Sequence, residues 1–98
     1  MGPEALARWR RAARRPMRQG DDPRLQALTA AVGSGRLVGF RYWGGSTPGA
    51  KREVSPGLLF TAEGFDGVYF SGYCHVRNAE RTFLVARMDL TEIAPRAA

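Results

Sequence analysis

A mainly β domain is what this sequence predicts: a small antiparallel barrel led by one short helix, with an Arg-rich helical arm ahead of both. Three observations carry that expectation. From Arg36 onward, apolar residues recur at every second position in short runs, and the runs are separated by Gly-, Pro-, Asn- and Asp-rich turns. Before Arg36, apolar residues recur at helical spacing. The charge is also divided. Residues 1–24 hold seven Arg against three acids, whereas residues 25–98 hold eight bases against six acids. A basic arm over residues 1–22 and a nearly balanced body over 23–96 follow, and 98 residues leave room for one core.

The arm reads as a helix over 4–15, "EALARWRRAARR". Ala, Leu and Arg are good helix formers, and Glu4 sits at the positive end of the dipole. Leu6, Trp9 and Ala13 follow the i, i+3, i+7 pattern, and Pro16 ends the run. A helix this short is marginal alone, so Trp9 needs a surface: the body, a second copy or another protein. The second helix is better punctuated. Asp22 is an N-cap, Pro23 suits the first helical position, Gly33 or Gly35 stops it, and Leu25, Leu28 and Val32 form its stripe.

The strands follow. "RLVGFRYW" sets Val38, Phe40 and Tyr42 on one face, and "GGSTPG" is a turn. "AKREVSPGLLF" is a strand with Pro56 at an edge or bend. Residues 67–76 form the next strand, "RNAE" is a hairpin loop, "RTFLVARM" returns, and "LTEIAP" is a last short strand before frayed terminal residues. Four or five such strands make a small barrel, with the leading helix capping one open end.

The strand beginning at Val68 poses the functional question. Val68, Phe70, Gly72, Cys74 and Val76 make one row; Tyr69, Ser71, Tyr73, His75 and Arg77 make the other. The apolar row is the core face, with Cys74 as a small buried filler. The polar row presents two tyrosines two residues apart, a spacing on which bases can stack. Fourteen of the fifteen basic residues are Arg, whose planar fork suits phosphate. The structural alternative is that the tyrosines merely cover a barrel surface, that Arg87 braces against Asp89 or Glu92, and that Arg81 pairs with Glu80 or Glu53.

Other chemistries are poorly served. With one His, one Cys and no carboxylate pair beside them, no catalytic constellation is expected, and no metal or cofactor. The glycine pairs lack the context of a phosphate loop. No run reaches the roughly 18 apolar residues of a membrane span, and no secretory signal is expected, so the chain reads as cytoplasmic.

In order and spacing, "FRYW", "KREVSPGLLF" and "GVYFSGYCHVRNAERTFLVARM" resemble the WYL domain of bacterial regulators, over about residues 24–94. The matching positions are Phe40 and Tyr42; Arg52, Val54 and Pro56; Val68, Tyr69 and Phe70; Tyr73 and Cys74; Arg81 and Phe83; Arg87 and Met88. Val68 and Phe70 replace the Trp and Leu of the family name, a change within the apolar row. The resemblance implies an Sm-like (SH3-type) barrel and a ligand-sensing role. On it rests the expectation that single-stranded nucleic acid or a nucleotide-type effector binds at Tyr69, Tyr73, Arg52, Arg81 and Arg87, with help from Ser71, His75 and Arg77. The arm, through Arg8, Arg11 and Arg15, would then add phosphate contacts. The alternative is a protein-interaction module that dimerises, or joins a larger regulator, through Leu6 and Trp9.

Overall fold

The computed structural model describes residues 2–17 and 22–97, with side chains to residue 90. Its elements are α1 (Pro3–Arg11), β1 (Arg14–Pro16), α2 (Pro23–Ser34), β2 (Arg36–Tyr42), β3 (Ala50–Ala62), β4 (Tyr69–Cys74), β5 (Ala79–Leu84), a 3-10 turn (Val85–Arg87) and β6 (Met88–Ala97). All strand pairings are antiparallel, in the order β5-β4-β3-β2-β6, with β1 pairing β3.

Local sequence sets α2. The Asp22 carboxylate accepts from the Arg24 amide at 2.8 Å, Pro23 opens the first turn, and Gly35 ends the helix at φ 68°. Leu28 and Ala31 are buried against the sheet, flanked by Leu25 and Val32. The strand core behind them is Val38, Phe40, Val54, Leu59, Phe70 and Cys74, none more than 2 % exposed. Phe83 meets Phe40 edge-on at 4.9 Å, and each buried ring or aliphatic chain of this size contributes about 1.5–3 kcal/mol. Val68 packs on this core, and Phe70 lies wholly within it, so the departures from the family name are absorbed there.

β3 is the hub. Its first half pairs with β2 (Val38 opposite Val54), its second half with β4 (Phe60 opposite Tyr69), and the register shifts between Pro56 and Leu58. A proline removes a ladder donor, and the bulge falls beside it within the β4 ladder, just beyond the last β2 pairing at Val54. Gly72 faces this bend: a Cβ there would stand 2.3 Å from the Ser55 carbonyl oxygen and 2.7 Å from a Val54 methyl.

Three expectations need correction. The arm helix ends at Arg11, and Arg14–Pro16 instead form β1 against Phe60–Ala62. The 81–88 strand is broken, because Val85–Arg87 turn as a 3-10 segment before β6. β6 itself runs on to Ala97, paired with Arg36, where the sequence reads as frayed.

The Sm-like (SH3-type) barrel does not close. Among the described residues β5 and β6, the two edges, are not paired with each other. The 3-10 turn lies between them and sends its hydrogen bonds elsewhere, from Val85 N to Val68 O and from Trp43 N to Arg87 O, both at 2.9 Å. Side chains from β2 and α2 hold the two flanks of the seam instead. Tyr42 Oη accepts from Leu84 N at 2.9 Å, and Arg24 Nη1 donates to the carbonyls of Val85 (3.4 Å) and Met88 (3.3 Å).

Candidate functional site

The expected site residues fall into two groups on opposite sides of the sheet. In β4 the burial alternates as the sequence implies: Phe70, Gly72 and Cys74 are buried, while Tyr69, Ser71 and Tyr73 face outward. The arginines of β3 and β5 obey the same alternation on the other side. Arg52 lies opposite Phe40 and points with it to the core side. Arg81 stands opposite Gly72 and shares its side of β5 with Phe83, two residues on.

On the outer side the arm docks. Trp9 meets the Tyr69 ring at 4.7 Å, Phe65 at 5.0 Å and Phe60 at 6.1 Å, and Phe60 stacks on Tyr69 at 5.8 Å. The Arg14 guanidinium lies 4.8 Å from the Trp9 ring centre, and that of Arg8 lies 5.7 Å from Phe65. Of the three surfaces open to Trp9, its own body is the one it meets here. Tyr69 Oη donates to Asp66 O at 3.1 Å; burial, then the Asp66 charge, push its phenol above the usual tyrosine range. Ser71 Oγ donates to Leu58 O at 3.5 Å. Tyr73 meets His75 edge-on at 5.1 Å, and His75 Nε2 lies 2.7 Å from Ser55 Oγ. Arg11 and Arg15 are exposed along the arm, as is Leu6; Arg18, the last arginine of the arm, lies outside the described residues.

At the end of the sheet, on the core side, three arginines converge. Arg52, Arg77 and Arg81 line a recess of about 170 Å³ together with Tyr42, Phe83, Gly45 and Ser46. Arg77 belongs by count to the tyrosine row, but β4 ends at Cys74 and the turn through Asn78 (φ 53°) carries it round to the recess. There its Nη2 donates to Thr47 Oγ1 at 3.1 Å and to Ser46 Oγ at 3.4 Å. Arg52 Nη2 donates to the same Thr47 hydroxyl at 3.0 Å. Arg87 stands beside the recess: its Nη1 would be 3.2 Å from a Cβ on Gly44, next to the Tyr42 ring.

The electrostatics of the recess are one-sided. Arg52 is 5 % exposed, the only buried charged residue described, and its Nε has no partner. A buried cation ordinarily needs an anion, since desolvation without one costs several kcal/mol. Among the described residues the only ion pair is Arg24–Asp22, at 3.2 Å, so neither Glu53 nor Glu80 neutralises the recess, and Asp89 does not brace Arg87. Sequence reasoning gathered these arginines but missed Ser46 and Thr47, read only as turn residues, and gave Tyr42 and Phe83 no part in the site. The signal was present in two hydroxyls at the tip of a loop between Arg-bearing strands.

Comparison with known proteins agrees with this architecture. The family model described as "WYL domain" matches residues 23–93. The chain belongs to the WYL domain family. Its solved relatives include proteasome accessory factor B/C (PafBC) of Arthrobacter aurescens, 27 % identical over 84 % of this chain, with a TM-score of 0.65. The match takes in 13 % of the PafBC chain, so this WYL domain corresponds to a small part of that protein. No curated protein matches. No helix among the described residues is long and apolar enough to cross a membrane.

Proposed function

We propose that this WYL domain is the ligand-sensing module of a regulatory system, a binding domain rather than an enzyme. Its ligand is single-stranded nucleic acid or a nucleotide-type effector, taken up by Arg52, Arg77 and Arg81. The observation that carries the reading is buried Arg52, its Nε unpartnered, lining a recess with two more arginines and no carboxylate among the described residues. An anion there would offset a buried charge that no described carboxylate neutralises, and Arg forks match phosphate oxygens in geometry. Duplex DNA, with a persistence length of about 50 nm, presents phosphates along a stiff rail, whereas a single strand bends readily enough to put one into a recess. Tyr73, exposed on the outer side, and the arm arginines are secondary contacts in this reading.

Anisotropy titrations of labelled single-stranded and duplex oligonucleotides over a salt series test it. Expected is a preference for single strands that persists at about 0.2 M salt and is lost in Arg81→Ala. Binding indifferent to strandedness, abolished by salt and unchanged in Arg81→Ala would assign it to the arm and overturn the proposal.

A further inference from the structure

Which phosphate the recess recognises can be argued further, on the footing of the ligand reading above. We propose that it selects a phosphomonoester, the terminal phosphate of a strand or of a nucleotide, over the phosphodiester inside a chain. Three observations lead there.

The first is charge. Three guanidiniums meet with no carboxylate near them among the described residues, and one is buried. A monoester carries about −1.5 to −2 at neutral pH because its second pKa is about 6, whereas a diester carries a single charge. The second is donors. The exposed Arg81 guanidinium makes no side-chain hydrogen bond among the described residues, and its N–H edges are open. A monoester has three terminal oxygens to accept from such donors, and a diester has two. The third is shape. At about 170 Å³ the recess is smaller than the roughly 300–1,000 Å³ of pockets that enclose drug-sized ligands. It is backed by Phe83, buried at 4 % exposure, and by Tyr42, whose hydroxyl already accepts from Leu84 N. A chain that must enter and leave finds a wall there, whereas a chain end needs only to enter.

The test uses the full chain and labelled single-stranded oligonucleotides identical except at their ends, with a 5′-phosphate, a 3′-phosphate or hydroxyls at both. A nucleoside 5′-monophosphate serves as competitor. A phosphorylated end is expected to bind about tenfold tighter than a hydroxyl end, an advantage that shrinks below about pH 6 as the phosphate takes its second proton. Arg81→Ala should erase that advantage, and because Arg81 is exposed this variant is informative even if substitutions at buried Arg52 unfold the chain. Displacement by the monophosphate would name a free nucleotide as a sufficient source of the group; failure to displace a phosphorylated strand would name the strand end. Either supports the inference. Equal binding of all three oligonucleotides, still lost in Arg81→Ala, would overturn the monoester selection and leave the strand-binding proposal standing. Binding of the monophosphate with none of the oligonucleotides would support the monoester selection and narrow the proposed ligand to a nucleotide-type effector. If neither binds, both fall.

Discussion

The outer face of β4 and the recess on its far side are built from the same two kinds of side chain, aromatic rings and arginines, in opposite arrangements. Outside, ring packs on ring from Trp9 to Tyr69 to Phe60, and the arginines that approach lie over those rings, Arg14 over Trp9 and Arg8 over Phe65. Cation–π contact offers such a guanidinium about 0.5–1 kcal/mol while leaving its edges in water. Inside, Phe83 and Tyr42 pack with each other and with Phe40, and the arginines converge on space instead of on a ring face. The lesson is that a cation's neighbours say more than its presence. Arginines satisfied by rings hold the arm down, and arginines that converge without a carboxylate, one of them buried, define a site.

The comparison can be broken first where the two regions share a strand. Gly72→Ala would drive a methyl group into the Ser55 carbonyl and Val54, forcing β3 from β4. A loss of about 3 kcal/mol in denaturant-derived stability is expected, since overpacking against backbone finds little relief. An unchanged midpoint would mean that the two strands separate freely. Next, Arg52→Met should move stability and binding in opposite directions. Replacing an uncompensated buried cation with an apolar chain is expected to stabilise the free domain by about 1 kcal/mol or more, while phosphate-dependent binding falls at least about tenfold. A fall in the thermal midpoint would make Arg52 a structural residue. Trp9→Ala comes third. It should cost about 1–2 kcal/mol, less than a core aromatic because Trp9 is only half-buried, and leave affinity at the recess unchanged. Weaker binding in this variant would join the two regions that the comparison separates.

The smallest effect is a pH response of the outer face. The folded-state pKa of Tyr69 is raised, so above pH 10 the unfolded chain gives up its phenolic proton before the folded one does. Its contribution is therefore fully present below pH 10 and is lost as pH rises through the folded value. Thermal midpoints of the parent chain and Tyr69→Phe should converge with rising pH; parallel curves would show that the phenol is no more buried than in the unfolded chain.

What was legible in the sequence was what near neighbours decide. Asp22, Pro23 and Gly35 punctuate α2 within a turn of where they act, and the alternation from Val68 to Cys74 gives the buried row of β4 directly. β1 was not legible, because three residues become a strand only by meeting Phe60–Ala62, more than forty positions away. For the site, the arginine set was legible and its geometry was not. Period two assigns faces only while a strand lasts, so Arg77 was counted with the tyrosines although β4 had already ended at Cys74. Nor does alternation within one strand say that Arg52 and Arg81 share the side opposite Tyr69, because that depends on cross-strand register.

The unpaired seam between β5 and β6 has a dynamic consequence. Elsewhere the strands are joined by backbone ladders, but at the seam the described side-chain hydrogen bonds are the Tyr42–Leu84 bond and the two carbonyls held by Arg24. A typical hydrogen bond contributes about 1 kcal/mol, so the Leu84 end of β5 is cheap to open, and the Leu84 amide should exchange with solvent deuterium long before those at the centre of β3. The recess adjoins this seam on the β5 side, taking Tyr42 and Arg52 from the β2–β3 hairpin and Arg77, Arg81 and Phe83 from the β4–β5 hairpin. A ligand gripping both hairpins is held only by the closed form, so its arrival would be registered as slowed exchange at Leu84, a local stiffening that a neighbouring domain could sense without any change of fold.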